Sequence, residues 1–379
     1  MEFGLTETQE LYRQQVGDFV DDQIIGENLD WDDDQNFPWG VYEELAAMGL
    51  IQMEIPEEGG GQGIDRQTVG LIYEQLGRGD AGLSMLLMVQ NSVNHVLYTQ
   101  GDEREQDIAR ANGRGENVLS WCLTEPEHGS DAGAIETTAE RTDDGWLING
   151  RKTAITGATF ADYGILFARR ASDGGLRPFL LPFDADGLEV QKYEGMGCDL
   201  SGWGQLFLDD VRLNENAMVA DRNAFKTAME VFDPSRGYIP LFCLGAAQQT
   251  LDETEEYMTE REAFGHELAE FQGPQFQIAE MRTRVEVARL KALETLWRDD
   301  NGLDYSKDAA MAKWFGTEVA TETIRDCIVL HGNYGYSKAF GLEKRLRDVL
   351  GLEIGEGPQQ IQKTIIARET WGRDYLPYK

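Results

Sequence analysis

One carboxylate in this chain of 379 residues stands between two glycines, in the tripeptide Gly355-Glu356-Gly357, directly before a helix-like segment. Flanking glycines let the backbone come close to a ligand or adopt positive φ, so the carboxylate and the neighbouring N–H groups can face one bound molecule together. The pattern therefore makes Glu356 a candidate general base. The same tripeptide also occurs in solvated turns, and taken alone it leaves that alternative open.

Three other motifs have the wrong context for the chemistry that they suggest. The glycine-rich run 77–82 fits a dinucleotide fingerprint but follows an apolar helical pattern instead of a strand. The segment 266–270 lacks the second histidine of a zinc-protease helix, and Phe37 stands where a calcium loop at 32–36 would need its glycine. With four histidines in the chain and no pair among them, we do not expect a metal site.

The charge of the chain limits its partners. Its 68 acidic and 34 basic residues give a formal net charge of −34, spread over the whole length, which repels nucleic acid and anionic membranes. No apolar stretch is long enough to cross a bilayer, and no secretion signal opens the sequence. Four cysteines in separate apolar segments have neither metal nor redox spacing. We therefore expect a soluble cytoplasmic protein that binds no nucleic acid and has no membrane span.

The spacing of apolar residues divides the chain into three domains. It is helical over 1–117, where Thr6-Glu7-Thr8-Gln9 resembles a capping box, and it changes to short strands over 118–222. Over 223–379 long helical patterns return. We therefore predict an α+β fold that is mainly α: an N-terminal helical domain, a central small antiparallel β domain and a C-terminal four-helix-type bundle. The predicted strands cover 118–123, 146–149, 163–168, 178–181, 188–190 and 205–208, and the predicted long helices cover 242–262, 273–299 and 306–330.

Motifs in all three domains resemble those of the acyl-CoA dehydrogenase family. In chain order they are LTEPEHGSD at 123–131, NGRKTAITG at 149–157, FDPSR at 232–236, GAAQ at 245–248, REAFG at 261–265, FQ at 271–272, HGNYGY at 331–336, RD at 347–348 and the glycine-flanked Glu356. They follow the family's order and spacing over essentially the whole chain, which chance would not produce.

The resemblance implies FAD as cofactor, bound without a Rossmann fold. Thr124 corresponds to a hydroxyl at the pyrimidine edge of the flavin, Thr156 to one near flavin N5, and Ser130 to a residue at the pyrophosphate and acyl-CoA end. Some implied positions reach the FAD of a neighbouring subunit, so the resemblance also implies an obligate oligomer, usually a tetramer. The implied FAD-binding residues are Trp121, Leu123, Thr124, Ser130, Ala154, Ile155, Thr156, Arg261, Phe264, Phe271, Gln272, Val329, Gly332, Asn333, Gly357, Pro358 and Gln360.

The reaction implied by the resemblance is the dehydrogenation of a saturated acyl-CoA thioester to the trans-2-enoyl product. Glu356 would take the α-proton while a hydride leaves the β-carbon, with the carbonyl oxygen held by the Glu356 backbone N–H and a ribityl hydroxyl of FAD. The electron acceptor would be an electron-transfer flavoprotein; an oxidase that uses oxygen and a non-catalytic flavin-binding protein are the alternatives. The implied substrate-binding residues are Ser130, Phe232, Asp233, Arg236 and Gly357. For Arg236, a salt bridge to Asp233 at a helix start is the alternative role.

The chain departs from the family pattern at several positions. Ala154 replaces an aromatic residue that packs on the flavin, His128 a small residue, Pro358 a hydroxyl residue and Val329 a glutamine. Ser84 stands where the glutaryl-CoA branch carries an arginine, which makes a dicarboxylic substrate less favoured.

The dispersed acidity predicts adaptation to a high-salt cytosol, because the Debye length falls to about 3 Å near 1 M salt and self-repulsion is then screened. We expect the Tm to rise by several degrees between low salt and about 1 M KCl in thermal melts. Sucrose, which stabilises without screening charge, serves as the control. A Tm that does not change down to low salt would contradict the hypothesis.

Overall fold

The computed structural model describes residues 4–34, 37–220 and 224–376. Contacts group them into two units. The first unit is helical and consists of Met1–Asp34, Asp65–Ser84 and Asp233–Lys379, while the second consists of Gln35–Ile64 and Met85–Phe232 and contains the main β-sheet. The predicted succession of a helical part, a β part and a second helical part is confirmed.

The described residues form eleven α-helices. The predicted capping box of the first is confirmed, because the Thr6 hydroxyl accepts from the Gln9 N–H and the Gln9 side chain accepts from the Thr6 N–H. The helices are α1 (Glu7–Gln23), α2 (Asn28–Asp34), α3 (Trp39–Ala47), α4 (Arg66–Gly79), α5 (Ala81–Gln100), α6 (Glu103–Gly113), α7 (Ala224–Glu260), α8 (Gln272–Asp300), α9 (Ser306–His331), α10 (Leu342–Ile354) and α11 (Gln359–Trp371).

Helix α7 begins at Ala224, so the predicted start at 242 was wrong. The part of α7 before residue 242 contains Pro234 and Pro240. A proline in a helix interior destabilises the helix by about 3 kcal/mol, so the sequence alone does not predict a helix there. Packing supports the segment. A Cβ added to Gly316 of α9 would lie 2.5 Å from the Pro240 Cβ, so glycine is required for these helices to approach so closely. The predicted extents of α8 and α9 are confirmed to within one or two residues.

Among the described residues, seven strands form the main sheet and two more form a small hairpin. The main-sheet strands are β1 (Leu119–Cys122), β2 (Thr138–Thr142), β3 (Gly145–Ile155), β4 (Tyr163–Arg170), β5 (Leu176–Pro182), β6 (Leu188–Lys192) and β7 (Gly204–Leu213), in the order β1-β4-β2-β3-β7-β6 with β5 on β4. The hairpin strands are β8 (Glu262–Ala263) and β9 (His266–Glu267).

The sheet was predicted to be antiparallel, and this prediction holds for only some of its strand pairs. The β2/β3, β3/β7, β6/β7 and β4/β5 pairs are antiparallel, but β4 runs parallel to both β1 and β2. Long connections between these strands permit parallel pairing. Strand β2 was also missed, because its residues are mostly polar and only Ala139 is buried.

The core of the sheet unit is built from the apolar residues of alternate strand positions. Trp146 and Phe179 pack edge to face, with ring centroids 5.1 Å apart, and Cys122 belongs to the same cluster. All four cysteines are free and buried, which confirms their interpretation as small core residues.

The rejected motifs lie where they cannot perform the suggested chemistry. The run 77–82 connects α4 to α5 and follows no strand. The segment 266–270 belongs to the exposed hairpin, where His266 pairs with Glu270, while residues 35 and 36 of the acidic run lie outside the described residues. In the described ranges no cluster of His, Cys, Asp and Glu is arranged to hold a metal, and no helix there is long and apolar enough to span a membrane.

Helix α9 is the centre of the C-terminal bundle. It packs against α8, α10 and α11, and its buried face carries small residues such as Ala309, Ala312 and Ala320. Lys344 of α10 is buried in the same unit and donates to Asp80 at 2.6 Å and to Asp348 at 2.7 Å. Asp80 in turn accepts from the Leu83 N–H in the first turn of α5. The ammonium therefore fixes α10 to the start of α5.

Replacing Lys344 with methionine should strongly destabilise the fold, because it leaves two buried carboxylates without their cation. Loss of one partner from a buried ion pair costs about 3–5 kcal/mol, and we expect a matching fall in the guanidinium chloride midpoint of the helical unit. Lys192→Met, at an exposed position on β6, is the control. An unchanged midpoint for Lys344→Met would show that the triad does not stabilise this unit.

Candidate active site

Glu356 lies in a four-residue loop, 355–358, between α10 and α11. Helix α10 ends at Ile354, and Pro358 caps the start of α11. Glu356 itself has a φ of 54°, and Gly357 has a φ of 91°. Gly355 is extended, so only one of the two glycines uses the conformational freedom that the sequence suggested. A left-handed conformation costs a non-glycine residue about 1–2 kcal/mol, so the rest of the structure must hold Glu356 in place.

The carboxyl group of Glu356 is surrounded by protein atoms, although the residue is still partly exposed. Burial raises the pKa of the Glu356 carboxyl, and the charges of Arg236 and Lys313 and the hydroxyl of Ser235 oppose that rise. The Ser235 Oγ lies 3.5 Å from Glu356 Oε2. Within the described part of the chain, the Glu356 backbone N–H donates to no acceptor. The site therefore combines a basic carboxylate with an N–H that is available to a ligand.

Arg236 and Asp233 lie one turn apart in α7. Arg236 Nη1 is 2.5 Å from Asp233 Oδ1, so the salt bridge considered for this pair is present. It lies inside a long helix and not at a helix start, because α7 extends back past both residues. Arg236 is only 6% exposed, and its Nε has no hydrogen-bond partner in the described structure. Arg236 therefore retains an unused buried donor.

In the sheet unit, the first two family-like motifs meet side by side. Thr124 follows β1 and Thr156 follows β3, and the Thr153 N–H donates to the Thr124 carbonyl at 3.0 Å. Trp121 lies on β1, edge-on to Phe232 with ring centroids 6.1 Å apart. Leu123, Ala154 and Ile155 belong to the same two segments, and Ser130 lies in an exposed turn after β1.

A buried ion pair that the sequence reasoning missed links these motifs. Lys152 of β3 is fully buried and donates to Glu125 Oε1 at 2.8 Å and to the Leu123 carbonyl at 2.9 Å. Glu125 also accepts from the backbone N–H groups of Glu136 and Thr137. Burial lowers the pKa of Lys152 to about 8, and Glu125 opposes the shift. Lys152 thus holds the residues on both sides of Thr124, through the Leu123 carbonyl and the Glu125 carboxylate.

The side chain of Thr156 has a hydrogen-bond partner that the sequence did not indicate. The indole Nε1 of Trp203 donates to Thr156 Oγ1 at 3.1 Å, and the Thr156 carbonyl accepts from Ser120. Because the Thr156 oxygen accepts from the indole, its own proton must point to another acceptor. Trp203 lies beyond the motif at 149–157, so only the folded sheet brings it there.

The donors in this unit fit a flavin nucleotide, which is rich in carbonyl and phosphate oxygens. The Trp121 Nε1 is buried and has no partner among the described residues. Such an orphan donor requires an acceptor from a ligand or water. The hydroxyls of Thr124 and Ser130 remain accessible close to it in sequence and can provide further hydrogen bonds.

The remaining predicted positions all belong to the helical unit. Phe264 is 96% exposed in the turn of the β8/β9 hairpin, and Val329 is 70% exposed near the end of α9. Arg261, Phe271, Gln272, Gly332 and Asn333 lie next to these two in sequence, and Pro358 and Gln360 lie at the start of α11.

Three family models match consecutive parts of the chain. They describe the N-terminal domain of acyl-CoA dehydrogenase over residues 6–107, its middle domain over 120–211 and its C-terminal domain over 224–370.

Relatives of similar length share about a third of their residues with the chain. A probable acyl-CoA dehydrogenase, YngJ, of Bacillus subtilis is 34% identical over 97% of this chain and 99% of its own length. The 3-(aryl)acrylate reductase of Clostridium sporogenes is 34% identical over 96% of this chain and 98% of its own. The human mitochondrial short-chain specific acyl-CoA dehydrogenase is 33% identical, with coverage of 96% and 90%.

Solved structures agree with these matches. Butyryl-CoA dehydrogenase from Megasphaera elsdenii superposes with a TM-score of 0.92 at 28% identity, covering 98% of this chain and all of that one. PigA, solved with FAD and proline, gives 0.93 at 26% identity with the same coverage. A chain from a structure of the electron transferring flavoprotein of Acidaminococcus fermentans gives 0.93 at 30% identity, also with that coverage. Because domain models, full-length relatives and solved structures agree, the chain belongs to the acyl-CoA dehydrogenase family of oxidoreductases.

Proposed function

We propose that the protein dehydrogenates a saturated acyl-CoA thioester to the trans-2-enoyl product, with FAD as cofactor and Glu356 as the base. The observation that carries this proposal is the placement of Glu356, held in a left-handed conformation with a buried but reachable carboxyl beside an unpaired backbone N–H. Family membership supports the reaction class.

Glu356 removes the α-proton of the thioester. This proton is weakly acidic, and a base works best when its pKa approaches the operating pH. Burial moves the pKa of Glu356 in that direction, and the charges of Arg236 and Lys313 oppose the rise. The Glu356 N–H donates to the thioester carbonyl oxygen, where negative charge develops.

FAD, when bound, supplies the acceptor for the hydride that leaves the β-carbon. The hydroxyls of Thr124, Ser130 and Thr156 and the indole N–H of Trp121 hold the cofactor, and Trp203 directs the proton of Thr156 toward it. Ser130, Phe232, Asp233, Arg236 and Gly357 bind the substrate, with Asp233 and Arg236 at its CoA portion. The unused Nε of Arg236 supports a role in holding an anionic group.

A second copy of the chain completes the cofactor site, in a tetramer. The exposed side chains of Phe264 and Val329 support this assembly, because contact with another subunit would remove them from water. The protein acts in a high-salt cytoplasm, where its acidic surface keeps the assembly soluble.

Electrons pass to an electron-transfer flavoprotein. The match to a chain from the Acidaminococcus fermentans structure supports this acceptor, as does 31% identity to a subunit of the caffeyl-CoA reductase–Etf complex of Acetobacterium woodii. The two reductases among the relatives favour a second candidate, reduction of an enoyl thioester by the same site. Peroxide release during aerobic turnover would instead indicate an oxidase.

Glu356→Gln should retain FAD but lose flavin reduction by acyl-CoA, because the amide cannot accept the α-proton. Loss of a general base costs about 10²–10⁴-fold in rate. Flavin bleaching is followed anaerobically after mixing with acyl-CoAs of different length and branching. Glu369→Gln, an exposed position on α11, is the matched control. Bleaching at the wild-type rate in Glu356→Gln would refute the assignment.

Trp203→Phe should slow flavin reduction about 5-fold without loss of FAD, since it removes one hydrogen bond worth about 1 kcal/mol from the Thr156 hydroxyl. In a double-mutant cycle, the same change in a Thr156→Val background should have no further effect. Trp371→Phe, at an exposed position, is the control. Equal effects of Trp203→Phe in both backgrounds would show that the indole does not act through Thr156.

A further inference from the structure

Lys313 of α9 is fully buried, and its side chain contacts the loop that carries Glu356. Its Nζ donates to the backbone carbonyls of Glu353 at 3.0 Å, Gly355 at 2.7 Å and Gly357 at 3.0 Å. An ammonium group has three N–H donors, and here each one has an acceptor. The three carbonyls lie on both sides of Glu356 in the sequence. One buried cation therefore gathers the backbone around the proposed base.

A second buried side chain supports the same loop. Gln362 of α11 donates through Nε2 to the Glu356 carbonyl at 3.1 Å and to the Gly357 carbonyl at 2.8 Å. With these contacts, every carbonyl from Gly355 to Gly357 accepts from a buried side chain on α9 or α11. The carbonyls are thus held on the inner side of the loop.

The loop needs this support for two physical reasons. The last carbonyls of α10 have no partners within their own helix, and a cation is favourable at a helix C-terminus. The left-handed conformation of Glu356 is strained, so the loop would relax if its contacts were removed. A relaxed loop would turn both the carboxylate and the Glu356 N–H away from their present directions.

We propose that Lys313 is a positioning residue for Glu356: its ammonium holds the backbone carbonyls on both sides of Glu356 and thereby fixes the conformation of the loop. This inference rests on the proposed role of Glu356 as the base. It adds a residue on another helix, which touches no reacting atom and acts through backbone carbonyls and through its charge.

The charges around the two groups determine the expected pH behaviour. Glu356 faces Arg236 from α7 and Lys313 from α9, and Lys313 faces Cys243 and Arg236 from α7 and Glu353 from α10. Burial lowers the pKa of Lys313 to about 8, while Cys243, Glu356 and Glu353 oppose the shift. Lys313 is therefore still charged at pH 7. Removing its charge raises the pKa of Glu356 further, so the ionised base appears only at higher pH.

The test compares Lys313→Met and Lys313→Arg with Lys307→Met, a control in the first turn of the same helix. We expect Lys313→Met to bind FAD and acyl-CoA normally but to reduce its flavin about 10²-fold more slowly, as a misplacement of about 1 Å produces. The acid limb of its pH profile should move to higher pH. Lys313→Arg, which keeps the charge, should recover part of the rate and the wild-type acid limb. If Lys313→Met does not fold, the rate and the pH profile are measured in Lys313→Arg instead.

Two further measurements separate this inference from the proposed function. A crystal structure of Lys313→Met should show a changed φ at Glu356, which does not depend on activity. Lys313→Met combined with Glu356→Gln should be no slower than Glu356→Gln alone, since Lys313 acts through that residue. A wild-type loop, rate and pH profile in Lys313→Met would overturn the role of Lys313. Failure of the wild-type protein to bleach with any acyl-CoA would instead overturn the proposed function.

Discussion

A carboxylate that removes a weakly acidic proton has to be buried enough to be a strong base and must nevertheless stay ionised. For Glu356, the proposed base, burial raises the pKa of the carboxyl, and the charges of two buried cations, Arg236 and Lys313, oppose that rise. Both cations are buried, so their positions depend on the packing of α7 and α9. The helices that carry them must therefore be fixed before the site can work. The small residues of α9 and the close contact at Gly316 provide that rigidity.

The sheet unit also contains a buried lysine that donates hydrogen bonds to the segment beside it. Lys152 and Glu125 are buried together, and their hydrogen bonds hold the backbone around Thr124. Removing one partner of such a pair is costly, because the remaining charge stays buried. In both units, a lysine from a regular element donates to carbonyls of an irregular segment that carries proposed site residues. Loops with exposed functional groups thus gain the rigidity of the helices and strands beneath them.

Much of the fold could be predicted from the sequence, because its signals are local. The capping box at Thr6, the helical spacing of α8 and α9 and the apolar strands β4 and β5 all depend on nearby residues. Strand β2 could not be predicted, since its residues are polar and its pairing with β3 and β4 is a long-range property. The start of α7 was hidden by Pro234 and Pro240, whose cost is offset by packing that the sequence does not reveal.

The candidate site was only partly predictable for the same reason. Motif resemblance selected Glu356, Thr124 and Thr156, but Lys313 and Trp203 lie outside every motif that was recognised. A lone lysine in the apolar run 309–315 is a signal for a buried cation, yet its partners become visible only once α10 and α11 are folded against α9. Conformation was equally hidden: Glu356, and not Gly355, has the positive φ.

The most direct test of the account is an isotope effect in Glu356→Asp, which keeps a carboxylate but shortens its reach by one methylene. Flavin reduction is measured anaerobically with an unlabelled acyl-CoA and with the same compound deuterated at the α-carbon. If proton removal by residue 356 limits the rate, reduction should be slower than in the wild type and slower still with the deuterated substrate. Reduction at the wild-type rate with no isotope effect would contradict the account.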